Sequence, residues 1–174
     1  MSGPGHLFLV GFMGAGKSTV GRLVAERLAR PFLDLDALIE ADAGLPVSRI
    51  FTEQGEESFR NRESAALHSM SDQAPSVVAC GGGIVLRSEN RALLKELGSV
   101  VYLEVSAGEA LARIGDVSSR PLLAGGGGSL AATSLLAARE SLYRSVADLV
   151  IDTEGHSPTE VAEMVSARYS GDGA

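Results

Sequence analysis

Short, unbroken apolar runs recur along the chain, separated by longer stretches in which apolar side chains return every third or fourth position. The runs are Leu7–Val10, Phe32–Leu35, Val77–Ala79, Val100–Val105 and Leu149–Ile151. A strand buried on both faces reads as a continuous apolar run, so these five predict a parallel sheet covered on both sides. Helical spacing covers Lys17–Arg30, Ala37–Ala43, Val47–Gln54, Glu56–Ser69, Glu89–Leu97, Ala107–Ile114, Ser134–Ala147 and Pro158–Tyr169. The start of the last helix is well signalled. Ser157 can cap it, Pro158 suits the first turn, and Glu160 stands three residues after the cap. Strands alternating with helices predict an α/β protein, a three-layer α/β/α sandwich around a five-stranded parallel sheet. No Pro-rich or polar linker divides residues 1–174, so a single domain is expected, with Gly171–Ala174 as a frayed tail.

The junction between the first run and the first helix carries the strongest chemical signal. Residues 11–18 read Gly-Phe-Met-Gly-Ala-Gly-Lys-Ser, the G-x-x-x-x-G-K-[ST] pattern of a Walker A phosphate loop. It lies where physics requires, after a buried strand and before a helix. Glycines let backbone N–H groups turn inward around an anion, and the helix N-terminus adds a positive field. Gly14, Ala15, Gly16, Lys17, Ser18 and Thr19 are therefore the candidate nucleotide-binding residues. Lys17 supplies a point charge at the β- and γ-phosphates, and Ser18 a hydroxyl to Mg²⁺. The loop predicts a nucleoside triphosphate as ligand.

Charge and composition narrow the partners. The chain has 15 basic and 22 acidic residues, a net charge of −7, which argues against a broad nucleic-acid surface. An acidic protein that binds anions must concentrate positive charge locally, so single arginines become informative. One cysteine, Cys80, excludes an intramolecular disulfide. It reads as a small packing residue. The N-terminal segment has no Lys or Arg before its short apolar run, unlike a secretory signal. No apolar run approaches the ~18 residues of a membrane span. The expected setting is cytoplasmic, with small molecules as partners, no membrane, and a monomer.

In an open α/β sheet, ligands gather outside the carboxyl ends of the strands. The second run ends in Asp34-Leu35-Asp36, the third in Cys80-Gly81-Gly82-Gly83. Two carboxylates two apart on an extended segment can face one side. Asp34 would then serve the metal through water, and Asp36 would orient an acceptor hydroxyl or take its proton. Asp36 could instead cap the helix that follows. The three glycines expose backbone N–H groups and leave room for a small polar ligand. Arg60, Arg120 and Arg139 are the candidate anion-binding arginines. Arg120 precedes a Gly-rich stretch, 124–132, which suits a mobile lid.

With these residues in hand, the chain resembles the shikimate kinase family, which shares a P-loop kinase fold with the nucleoside monophosphate kinases. The matching features are Gly11–Thr19, Leu33–Asp36, Ile50-Phe51, Gly55-Glu56, Phe59-Arg60, Gly81–Gly83, Arg120–Leu123, Arg139, Leu142-Tyr143 and Ala147-Asp148. The resemblance implies transfer of the ATP γ-phosphate to the 3-hydroxyl of shikimate, a step toward chorismate and the aromatic amino acids, with Mg²⁺ as cofactor. It implies Asp36 as catalytic base, Lys17 and Arg120 as catalytic cations, and Arg60 and Arg139 on the shikimate carboxylate. Gly81 and Gly82 would meet ring hydroxyls, and Arg113 and Pro158 would flank adenine. Glu63 matches an acid near Arg60. It further implies a shikimate-binding helical region at about 36–63 and a mobile lid at about 116–132.

Two departures stand out. Cys80 occupies a position where Thr or Ser is expected, and the 124–132 segment is richer in Gly and poorer in charge than the family pattern. Two other readings compete: another small-molecule kinase, acting on gluconate or a nucleoside monophosphate, and a nucleotide-binding module without catalysis. The phosphate loop alone does not separate them. Asp36, Arg60, Gly82 and Arg139 do, because they suit one carboxylate and several hydroxyls.

Overall fold

A computed structural model describes residues 5–115 and 128–170. Its sheet contains five parallel strands in the order β2-β3-β1-β4-β5: β1 (His6–Val10), β2 (Phe32–Asp34), β3 (Val77–Ala79), β4 (Gly98–Glu104) and β5 (Leu149–Asp152). The register is tight, with Leu9 opposite Ala79 on one side and Val101 on the other. The eight helices of the described residues are α1 (Lys17–Leu28), α2 (Leu35–Ala43), α3 (Val47–Gln54), α4 (Glu56–Ser69), α5 (Ser88–Leu97), α6 (Ala107–Ile114), α7 (Gly128–Val146) and α8 (Pro158–Tyr169). No described helix is long and apolar enough to cross a membrane.

The apolar runs sort to two faces because side chains alternate along a strand. Leu7 and Leu9 of β1 join Val20, Val24, Val161 and Val165 beneath α1 and α8. Phe8 and Val10 point the other way, into a cluster with Leu67, Leu94, Tyr102 and Tyr143 from α4, α5, β4 and α7. A smaller cluster, Ile39, Ile50 and Phe59, ties α2, α3 and α4 together beside the main body. β1 is buried throughout and central, so the loop that follows it emerges between the ends of β3 and β4.

Several boundaries differ from the expected ones, and three of them have a clear local cause. Leu35 opens α2 instead of closing β2, because the Asp34 side chain caps the helix, accepting from the Asp36 and Ala37 N–H groups. The alternative role of Asp36 as the cap is thereby excluded. Helix α1 stops at Leu28, where Ala29 turns into the left-handed region at φ 51° and Pro31 follows Arg30. Helix α7 begins at Gly128, six residues before Ser134. Ala132 is wholly buried in the core, so residues 128–132 of the expected lid are helical. Residues 116–127 of that lid, Arg120 among them, and the 171–174 tail lie outside the described residues. The capping box on α8 is formed as the sequence indicates, with Ser157 and Glu160 satisfying each other's backbone N–H groups.

Candidate active site at the carboxyl ends of the strands

The phosphate loop closes tightly over the start of α1. Gly14 has φ 79°, and a Cβ there would lie 2.7 Å from the Ala110 carbonyl oxygen, so only glycine fits. The Lys17 ammonium folds back to donate to the carbonyl oxygens of Gly11 at 2.7 Å and Phe12 at 3.0 Å, holding its charge over the loop. Ser18 donates to Asp34 Oδ2 at 2.6 Å. Asp34 thus does two jobs: one oxygen caps α2 and the other meets the loop hydroxyl. That pairing sets a carboxylate and a hydroxyl side by side at the mouth of the loop, a donor set suited to a hard divalent cation. Among the described residues no group of three His, Cys, Asp or Glu side chains could hold a metal alone. A Mg²⁺ here would therefore share its coordination with phosphate oxygens and water.

Lys17, Ser18, Thr19, Asp34, Asp36, Gly81 and Gly82 line one cavity of about 370 Å³. The strand ends converge as expected, although the two carboxylates reach the cavity by a different route. Asp34 ends the strand, whereas Asp36 projects from the first turn of α2. Gly14, Gly16 and Thr19 continue into a larger cavity of about 680 Å³, walled by Arg113, Thr153, His156 and Pro158. Arg113 is tied to the floor of this lobe. It pairs with Glu109 and donates to the oxygens of Gly14 and Thr153.

On the opposite side the first cavity opens into a slot lined by Asp36, Phe51, Phe59, Arg60, Glu63, Gly81–Gly83 and Arg139. Arg60 and Arg139 are 7% and 3% exposed, so neither is a solvated surface charge. Arg60 pairs with buried Glu63 at 2.9 Å and with the half-exposed Glu56 at 3.3 Å. Its guanidinium lies over the rings of Phe51 and Phe59, 5.8 and 5.2 Å from their centroids. Burial pushes the Glu63 carboxyl above the usual carboxylate range; the Arg60 charge opposes that rise without cancelling it. Arg60 Nε and Glu63 Oε1 are buried without a hydrogen-bond partner, although buried polar atoms are normally paired. They offer a donor and an acceptor to a polar ligand in the slot.

Glycine at position 81 leaves the two carboxylates the room they occupy. A Cβ on Gly81 would lie 2.8 Å from Glu63 Oε1 and 2.9 Å from Asp36 Oδ1. Cys80 sits below, 3% exposed, and burial holds its thiol far above the ordinary range, so it stays neutral. It packs among Val78, Ile84 and Val85 as a small apolar residue.

This crevice can hold a phosphate chain at one end and a small anionic, hydroxyl-bearing molecule at the other, with a carboxylate between them. Known proteins agree with that division. The family model described as shikimate kinase matches residues 13–169. The chain belongs to the shikimate kinase family. A shikimate kinase from Marinomonas sp. (strain MWYL1) is 45% identical over 162 residues, covering 92% of this chain and 89% of the relative. One from Cupriavidus pinatubonensis is 46% identical, covering 94% and 85%. The structure of shikimate kinase from Acinetobacter baumannii in complex with shikimate superposes with a TM-score of 0.93 at 37% identity, covering 98% of this chain and 95% of that one. Deoxyadenosine kinase from M. mycoides with bound dATP shares the fold, at a TM-score of 0.59 and 12% identity. The chain is thus an ATP-dependent kinase of the shikimate kinase family, and the gluconate, nucleotide and non-catalytic readings give way to that one.

The fold brings together every candidate from the sequence that falls among the described residues. It also gives roles to Phe51, Phe59 and Tyr143, which the sequence matched without assigning, and adds Arg87, which it did not single out. Phe51 and Phe59 pack against each other, centroids 4.8 Å apart, and together support one side of the Arg60 guanidinium. Arg87 donates to the Arg60 carbonyl, Ser64, Glu57 and Asn61, clamping α4 to the segment after the triple glycine. Nothing in its local sequence foretold that. Tyr143 donates to the Gly82 carbonyl, and its position one helical turn after Arg139 was the available clue.

Proposed function

We propose that this chain transfers the γ-phosphate of ATP to the 3-hydroxyl of shikimate, giving ADP and shikimate 3-phosphate. The observation that carries the reading is the buried arginine pair facing a carboxylate and a backbone-lined slot. A ring bearing one carboxylate and several hydroxyls needs a charge-assisted fork at one end and a proton acceptor at the other. Arg60 and Arg139 supply the forks, Gly81 and Gly82 the close backbone approach, and Asp36 the carboxylate beside the phosphate loop. The region 36–63 is the acceptor-binding segment of a single kinase domain.

In this mechanism Asp36 holds the acceptor hydroxyl and takes its proton as the oxygen bonds to the γ-phosphorus. The bond from that phosphorus to the β-bridging oxygen breaks, and ADP leaves. Phosphoryl transfer proceeds through a loose transition state, so positioning and charge balance contribute most of the rate. Lys17 balances charge on the β- and γ-phosphates. Gly14, Ala15, Gly16, Ser18 and Thr19 hold the phosphate chain, and Arg113 and Pro158 border the base. Ser18 and Asp34, the latter through water, would hold a Mg²⁺ that neutralises phosphate charge when bound. Arg120 is assigned to the transferring phosphate from its sequence position. The enzyme acts in the cytoplasm as a monomer on two small molecules.

Phosphorus NMR of the product, with the coupled ring proton identified, tests the assignment. A phosphate on the 3-oxygen is the expected result. A phosphate on a neighbouring hydroxyl would overturn the role given to Asp36.

A further inference from the structure

Helix α7 carries Arg139 and, one turn later, Tyr143. The Tyr143 side chain is fully buried, and its ring stacks on Tyr102 with centroids 5.0 Å apart and planes at 25°. That stack fixes the ring and leaves the hydroxyl at the edge of the acceptor slot. The hydroxyl donates to the Gly82 carbonyl oxygen at 2.5 Å. The Arg139 guanidinium lies beside the same phenol, its charge favouring the phenolate against the larger effect of burial. A phenol has one proton to give, spent here on the carbonyl, and its oxygen keeps lone pairs facing the guanidinium charge. The point where a Gly82 side chain would begin lies 3.5 Å from Arg139 Nη1 and 3.6 Å from Tyr143 Oη. Guanidinium, phenol and peptide carbonyl therefore gather around Gly82, with the phenol bonded to the carbonyl. Burial raises the phenol to about 12, so it remains a donor across the working pH range.

The triple-glycine segment has no side chains with which to hold its own conformation. It needs an outside group to fix the peptide planes that face the acceptor. We infer that Tyr143 is a positioning residue for acceptor binding. Its hydroxyl locks the Gly81–Gly83 segment to α7 and sets the Arg139 fork against it. Tyr143 does not itself line the slot, so it acts through Gly82 and Arg139. The inference rests on the proposed function, because the effect is read through shikimate.

The test is Tyr143→Phe, which keeps the ring and its stack and removes only the hydroxyl. KM for shikimate should rise about 5- to 20-fold, as expected when a buried carbonyl loses its hydrogen bond beside the substrate-binding guanidinium. KM for ATP should stay within about twofold, because neither Tyr143 nor Arg139 lines the cavities around the phosphate loop. The shikimate dissociation constant, measured by calorimetry without nucleotide, should weaken in parallel. Tyr102→Phe, which preserves the stack and never reaches Gly82, should leave both KM values unchanged. A Tyr143→Phe enzyme with an unaltered shikimate KM, whether or not its melting temperature falls, would overturn the inference. So would an equal rise in both KM values. If the wild-type protein neither binds nor phosphorylates shikimate, the functional reading fails first and this inference falls with it.

Discussion

Replacing Gly83 by alanine should displace Arg60 without altering its charge. Gly83 has φ −98° and ψ 7°, a conformation open to alanine, so the backbone adds no strain. The added methyl is the whole perturbation. It would lie 2.2 Å from Arg60 Nη1 and 2.5 Å from Cζ. Ordinary carbon contacts begin near ~3.5 Å, so the guanidinium must retreat by about 1 Å. Little room exists for that retreat, with Glu63 at 2.9 Å and Phe51 and Phe59 against the guanidinium. Overpacking of this kind costs about 1–3 kcal/mol of stability. A 1 Å misplacement of a substrate-positioning group costs up to about 100-fold in rate. The expected outcome is a 10- to 100-fold fall in kcat/KM for shikimate, roughly 1.4–2.8 kcal/mol, with KM for ATP within about twofold. Steady-state kinetics with each substrate varied in turn, and thermal melts of both proteins, supply the readout. Gly108→Ala is the control, since nothing lies within 4 Å of its added Cβ; it should slightly raise the melting temperature. A Gly83→Ala enzyme within about threefold of wild type in kcat/KM would show that Arg60 is not held in a rigid seat.

Asp36→Asn should lower kcat about 100-fold or more while leaving ATP binding, measured by fluorescent-nucleotide titration, within about twofold. Glu63→Gln tests the raised carboxyl: a group with a raised folded-state pKa contributes stability below its unfolded pKa, and that contribution is lost as pH rises through the folded value. The wild-type melting temperature should therefore rise relative to that of Glu63→Gln as pH falls from neutral into the carboxyl range. A constant difference would contradict the desolvation of Glu63. Ser157→Ala removes one half of the α8 capping box and should cost about 1 kcal/mol in urea unfolding with kcat unchanged.

Much of this arrangement was written in local sequence. The phosphate loop is a contiguous signature between a strand and a helix. The five apolar runs became the five strands because a parallel sheet buries both faces of each strand. The misplaced boundaries arose where a side chain overrode the pattern. Asp34 lies at the end of an apolar run, yet its carboxylate caps α2 and draws Leu35 into the helix. Ser129–Ala132 follow a run of glycines, yet Ala132 docks in the core and extends α7 toward its start. The acceptor slot was legible only in outline. Arg60 and Arg139 were distinguishable from surface arginines through the family resemblance, not through spacing. Their burial depends on α4 and α7 closing over the triple glycine. Arg87 and Tyr143 act on backbone carbonyls distant in sequence, and no local pattern encodes such a contact.

Acceptor identity is read from ADP release from Mg·ATP, with shikimate, gluconate, AMP or no acceptor at matched protein concentration. An acceptor slot built on Arg60, Arg139 and Asp36 gives turnover with shikimate and only background release with the others. Comparable turnover with gluconate or AMP, or ATP binding without turnover on shikimate, would contradict it.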